Sequence, residues 1–164
     1  MEAFLIDEWL GAEDAIPLLD EASLTLVRER VRDVAAAQKL SATSAGRLAT
    51  IASELGRNQL RHGRRGQIAA CPVVRDGHPG VEIIAADAGG GLLDPTRALE
   101  GTPRAQGSLG VGLASARELA SELDIDVRVH EGTCLRARVF DGAGRQWRGG
   151  GGLGRPQRSE SFRG

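Results

Sequence analysis

Leu24, Val27, Val31 and Val34 recur at steps of three and four, the repeat of one helical face, and predict an amphipathic helix over residues 20–38. Asp20 or Ser23 can cap its start by accepting from the first free amides. A second helix is expected to open on Ser41, Thr43 or Ser44 and to run to His62, with Gly63 as its stop signal. Its apolar stripe is Leu48, Ile51, Ala52 and Leu55. Carried towards the C-terminus, that stripe meets Asn58 and His62 instead of leucines, with Glu54 on the adjacent edge. A face that begins as core therefore turns polar in its second half.

Past Gly63 the period falls to two. Residues 67–75 and 80–86 read as strands joined by the turn Asp76-Gly77-His78-Pro79, and the second strand runs into Asp87-Ala88-Gly89-Gly90-Gly91. Residues 94–100 suit a short helix, and 101–108 have turn composition without an apolar period, as a loop does. A third helix is expected over 109–123, burying Leu109, Leu113, Ala116, Ala120 and Leu123. Residues 126–130 and 134–140 then form a closing hairpin around Gly132. The end of the chain, with Gly149 to Gly152 among scattered Arg, Ser and Pro, holds too little apolar surface to order itself. The expected organisation is one domain over residues 1–140 and a tail or linker over 141–164.

Composition narrows the class. A chain of 164 residues can bury a real core, and a formal net charge of -1 argues against a broad basic face for nucleic acid. Lys39 is the sole lysine, an imbalance that reads as coding bias more than as phosphate recognition. Cys71 and Cys134 stand in apolar stretches without metal-ligand spacing and suit reduced core thiols of a cytoplasmic protein. No basic segment followed by an apolar run marks a secretory signal, and nothing approaches the roughly 20 apolar residues of a membrane span.

The candidate chemistry lies in three clusters. Glu54, Asn58 and His62 stand four apart and share one helical face. A carboxylate, amide and imidazole there suit a cation–phosphate ligand; hydrogen-bonded core residues beside a solvated Glu54 would give the same pattern. Asp87 ends a strand ahead of permissive glycines, where a carboxylate can accept from an exocyclic amine, or can simply begin an ordinary turn. Gly107-Ser108-Leu109-Gly110-Val111-Gly112 opens the third helix, and free amides at a helix start bind phosphate. The last is neither a Walker loop, since no lysine follows, nor a dinucleotide fingerprint, since a loop precedes it.

Taken in this order, the clusters resemble the GHKL (Bergerat-type) ATPase superfamily, and within it the RsbT and RsbW type of small serine/threonine kinases from bacterial partner-switching systems. Glu54 to Gly63 looks like the family's N box, Asp87 to Gly91 its G1 box, Gly107 to Gly112 its G2 box, and Gly132-Thr133 its late Gly-Thr element. The resemblance covers residues 16–140 and implies an α+β fold, a two-layer α/β sandwich whose mixed, mostly antiparallel sheet carries three main helices on one face. It implies ATP and Mg²⁺ as cofactors. Asn58 would hold the metal, Glu54 would be the general base, and Asp87 with Thr133 would receive the adenine. Gly89 and Gly91 would shape the base-binding turn, and Gly107, Ser108, Leu109, Gly110, Val111 and Gly112 would hold the phosphates. His62 would be a structural hydrogen-bonder, and Arg104 either reaches the γ-phosphate or is a surface arginine.

The implied activity is phosphorylation of a STAS-domain antagonist protein, with a sigma factor or a PP2C-type phosphatase as further partner and neither nucleic acid nor membrane involved. A nucleotide-binding partner switch with little catalysis is the alternative, opposed by the intact Glu54–Asn58 pair. The catalytic domain of a sensor histidine kinase is not expected, because fewer than 55 residues precede the N box. The short interval between G1 and G2 suits RsbT and RsbW types, and the stretch from Gly150 to Pro156 faintly resembles the junction into a SpoIIE-type phosphatase domain.

Overall fold

The computed structural model describes residues 9–10, 14–89, 109–128 and 131–142, with the backbone alone over 109–112. Helix α1 spans Glu21–Ala37 and starts on a capping box. Asp20 Oδ1 accepts from the Ser23 amide at 2.8 Å, while Ser23 Oγ accepts from the Asp20 amide at 2.9 Å. Helix α2, Ala42–His62, starts on Ser41, whose side chain accepts from the Ser44 amide. It ends at Gly63, which is extended and not left-handed. A Cβ at Gly63 would lie 2.8 Å from the Gln59 carbonyl, so this glycine stops the helix by allowing close approach.

The strands are β1 (Ile16–Pro17), β2 (Gln67–Arg75), β3 (His78–Asp87), β4 (Glu122–Arg128) and β5 (Gly132–Phe140). They form one sheet in the order β1-β2-β3-β5-β4, antiparallel at every described pairing, so the mixed character expected of the sheet has no parallel pair among the described residues. Strand β3 begins at His78, two residues ahead of the expected start. Asp76 and Gly77 both have positive φ (49° and 78°), and such a two-residue turn matches the twist of its strands and lets pairing start at Arg75↔His78.

Helix α3 spans Leu109–Leu119 and stops short of the expected residue 123. Leu123 belongs to β4 and pairs with Ala137. Positions 116, 120 and 123 fit a helical stripe, but 123, 125 and 127 alternate equally well as a strand, and pairing with β5 decides it. Ser121 makes the switch: its amide donates to the Arg138 carbonyl and its hydroxyl accepts from the Phe140 amide. Strand β4 thus starts at Glu122 instead of residue 126. The short helix expected at 94–100, the loop at 101–108 and the tail from 143 onward lie outside the described residues.

One core fills the space between the helices and one face of the sheet. Leu24, Val27 and Val31 of α1, Leu48, Ile51 and Leu55 of α2, and Leu113 and Ala116 of α3 pack over Ile68, Val81, Ile83, Ala137 and Val139. On the other face Trp9 and Leu10 cover Ala69, Ile84, Ala86 and Cys134, and Trp9 Nε1 donates to Asp126 at 3.0 Å. Beside them Glu82 is buried among Arg136 and Arg138, and Arg138 donates onward to Glu122. No helix among the described residues is long and apolar enough to cross a membrane.

Candidate functional site

The second half of α2 carries the polar face. Leu48, Ile51, Ala52 and Leu55 are fully buried, and Asn58 continues their line with only 8 % exposure. Its carboxamide nitrogen is buried with no hydrogen-bond partner among the described residues. An amide kept from water without a partner is costly in a finished fold, which makes Asn58 a candidate ligand-binding position. Glu54, one turn earlier, is half-buried at the edge, and its Oε1 meets Arg57 Nη1 at 3.1 Å. His62 does not continue the buried line: its side chain is exposed at the helix end.

Gln59 takes that buried place, at 6 % exposure. Its Nε2 donates to the carbonyls of Ala86 at 2.9 Å and Gln67 at 3.3 Å. The sequence offered a signal for it: 52, 55 and 59 are helical neighbours just as 55, 58 and 62 are.

Asp87 ends β3, opposite Thr133 of β5, which is itself buried. Its Oδ1 accepts the Gly89 amide at 2.8 Å. Burial pushes the Asp87 pKa up, and the Gly89 hydrogen bond opposes it. Gly89 does not have positive φ; it is small because a Cβ there would crowd the Asp87 carboxylate at 2.8 Å. Gly132 is required more strictly, since its Cβ would fall 2.2 Å from the Asp87 carbonyl. The Ala88 amide donates to the Arg64 carbonyl at 2.8 Å, lacing the end of β3 to the turn that follows α2.

Asp87, Gly89, Thr133 and the backbone of residues 62–64 therefore form one wall, with Asn58 one helical turn away on α2. Leu109, Gly110, Val111 and Gly112 make the first turn of α3, which packs beside α2. Gly91, Arg104, Gly107 and Ser108 lie outside the described residues. Cys134, next to Thr133, is a buried thiol whose pKa is pushed up to about 12, chiefly by burial, and Cys71 is half-buried on the same face. Both cysteines are free.

Residues 17–139 match the Histidine kinase-like ATPase domain family. The serine/threonine-protein kinase RsbT of Bacillus subtilis (strain 168) is 30% identical over 128 residues, 78% of this chain and 96% of that protein. Two solved structures are similar at lower identity. The histidine kinase domain of a blue-light activated histidine kinase from Erythrobacter litoralis EL346 gives a TM-score of 0.46 at 19% identity, covering 81% of this chain and 71% of its own. The mycobacterial sensor histidine kinase MprB gives 0.49 at 15% identity, covering 79% and 97%. With an α+β sandwich, a polar half-helix and a carboxylate at a strand end in place, this chain belongs to the histidine kinase-like ATPase domain family, the GHKL group that its motifs resemble.

Proposed function

We propose that the domain, residues 1–140, binds ATP with Mg²⁺ and transfers the γ-phosphoryl group to a serine or threonine of a protein substrate, as a serine/threonine-protein kinase of the RsbT type. The observation that carries this reading is the buried carboxamide nitrogen of Asn58, which has no hydrogen-bond partner among the described residues. Turning that amide by half a revolution offers Oδ1 in place of Nδ2, so the residue suits a hard cation through oxygen or a phosphate through N–H. One neutral oxygen ligand fits magnesium, which keeps most of its shell as water and phosphate. When bound, the ion neutralises charge on the triphosphate.

The chain's own groups then do the rest. Glu54 takes the proton of the attacking hydroxyl as the new O–P bond forms and the γ-phosphorus separates from the bridging oxygen, which leaves on ADP. Asp87 gives Oδ1 to Gly89, which leaves Oδ2 for the adenine amine, with Thr133 beside it. Gly89 and Gly91 would shape the base-binding turn. Gly107 and the amides of Ser108, Leu109, Gly110, Val111 and Gly112 hold phosphate oxygens at the positive end of α3.

The proposed substrate is a STAS-domain antagonist in the bacterial cytoplasm, and the proposed further partner is a PP2C-type phosphatase or a sigma factor. One observation favours a weaker catalyst: Glu54 is engaged by Arg57, so the base is occupied until substrate arrives, as in an ATP-binding partner switch. Labelled ATP with Mg²⁺ and STAS proteins from the same genome separates the two. The kinase reading expects transfer to serine or threonine, and Glu54→Gln that binds ATP as the native protein does while transfer drops by about a hundredfold or more. Native protein that takes up no ATP overturns both readings. Tight binding without transfer leaves the switch.

A further inference from the structure

We infer that Gln59 is a positioning residue for nucleotide recognition, holding the base-binding end of the site at a fixed distance from its phosphate-binding end. The inference rests on the proposed ATP site and assigns a role to a residue that the motif does not use. Gln67 and Ala86 face each other across β2 and β3, and the Gln59 amide donates to both of their carbonyls. It thereby ties the last turns of α2 onto the end of the hairpin. Ala86 directly precedes Asp87, and Asn58 directly precedes Gln59. One side chain therefore sets how the Asn58 turn stands against the Asp87 carboxylate.

The surroundings are shaped around that carboxamide. All three nearest atoms to a Cβ built on Gly66 belong to Gln59, at 2.6 Å (Oε1), 2.9 Å (Cδ) and 3.1 Å (Cβ). Gly66 has no positive φ that would otherwise demand glycine. Its carbonyl accepts from the Leu18 amide at 2.8 Å, so its backbone is fixed. Gly63 meets the same residue from the other side: its amide donates to the Gln59 carbonyl, and its Cβ would lie 3.3 Å from Asp87 Cβ. Gln59 Oε1 is buried and lacks a hydrogen-bond partner among the described residues. A residue selected only to glue helix to sheet would not leave an acceptor orphaned. The apolar contacts of Leu48, Ile51 and Leu55 already supply adhesion, but such contacts are non-directional and tolerate sliding. A hydrogen bond of defined length and angle does not.

Without this tie, base and triphosphate no longer fit their two ends together, whereas Glu54 and the start of α3 are untouched. The experiment compares native protein, Gln59→Ala, Gly66→Ala and the double variant. It measures ATP and GTP binding with Mg²⁺ by calorimetry, KM and kcat for transfer, and melting without nucleotide. Each single variant is expected to weaken ATP binding about tenfold and to narrow the ATP-over-GTP preference, with kcat at saturating ATP held within about twofold. The double variant is expected to be no weaker than Gln59→Ala, because Gly66→Ala acts by displacing the side chain already removed. Should Gln59→Ala not fold, Gly66→Ala carries the same expectation. Unchanged ATP affinity and base preference in a folded variant overturn the role, as does additivity in the double variant or a loss of kcat at constant KM. Native protein that binds no ATP overturns the ATP reading and this role with it; native binding with an indifferent Gln59→Ala overturns the role alone.

Discussion

Asp87 sits where its own charge is disfavoured. A carboxylate whose folded pKa is raised above 3.8 binds more proton in the folded than in the unfolded chain between those two values. Across that window stability falls as pH rises, and above the folded pKa the whole penalty of burying the charge is present. Asp87→Asn keeps an oxygen for the Gly89 amide and removes the penalty. The variant is expected to melt at or above the native temperature at pH 7, with the margin closing as acid protonates the native carboxyl, and to lose ATP binding in calorimetry. A lower melting point at pH 7 would show that the charge supports the fold. The buried polar position of Asn58 and the strand-end position of Asp87 were legible, because an amide breaks the helical apolar stripe and an acid ends the strand ahead of glycines. Gln59 was equally placed on the stripe, yet its meaning depends on Gly66 and on carbonyls of two strands. No local pattern carries that.

Helix α2 is held at both ends by contacts from distant parts of the chain. At its start, Asp141, just past β5, accepts from the Ser41 amide at 2.7 Å, from the Ser41 hydroxyl at 2.9 Å and from the Ser44 hydroxyl. These hydrogen bonds, that of Ser44 foremost, hold the Asp141 pKa below its usual value. A depressed carboxylate contributes stability that is present above 3.8 and is lost as pH falls through the folded pKa. Asp141→Ala should therefore cost about 1 kcal/mol at pH 7, in the range of a lost helix cap, with the difference from native fading in strong acid. Denaturant melts at several pH values would show it, and a pH-independent cost would discount the charge. Caps also explain which elements the sequence announced. Asp20 and Gly63 punctuate the start of α1 and the end of α2, so α1 was bounded within a residue and α2 at its end, while the start of α2 stayed open among Ser41, Thr43 and Ser44 until the structure placed the cap on Ser41. The α3–β4 junction has neither cap nor glycine, and Leu123 satisfies both periods, so only the pairing with β5 could fix it.

For the molecule as a whole, the proposed ATP site draws on α2, β3, β5 and α3, which only the complete fold brings together. A ligand bound there must stabilise the entire domain. ATP with Mg²⁺ at about a thousandfold above its Kd should add about 4 kcal/mol, read as a higher melting temperature, with no rise for Asn58→Ala. An equal rise in that variant would place the ligand elsewhere. The sandwich class and the mostly antiparallel sheet were foreseeable from the motif resemblance alone, not from periodicity; the full register was not, because cross-strand partners lie far apart in sequence.

That register has a consequence for how the protein comes into being. Asp87 faces Thr133, and the pair straddles α3 and the whole of β4 in the chain. During synthesis the β2–β3 hairpin can zip as soon as it leaves the ribosome, but half of the proposed adenine wall arrives only with β5. A nascent chain halted before Gly132 would have its helices and hairpin and no grip on nucleotide, so acquisition of ATP would mark the moment the domain is finished.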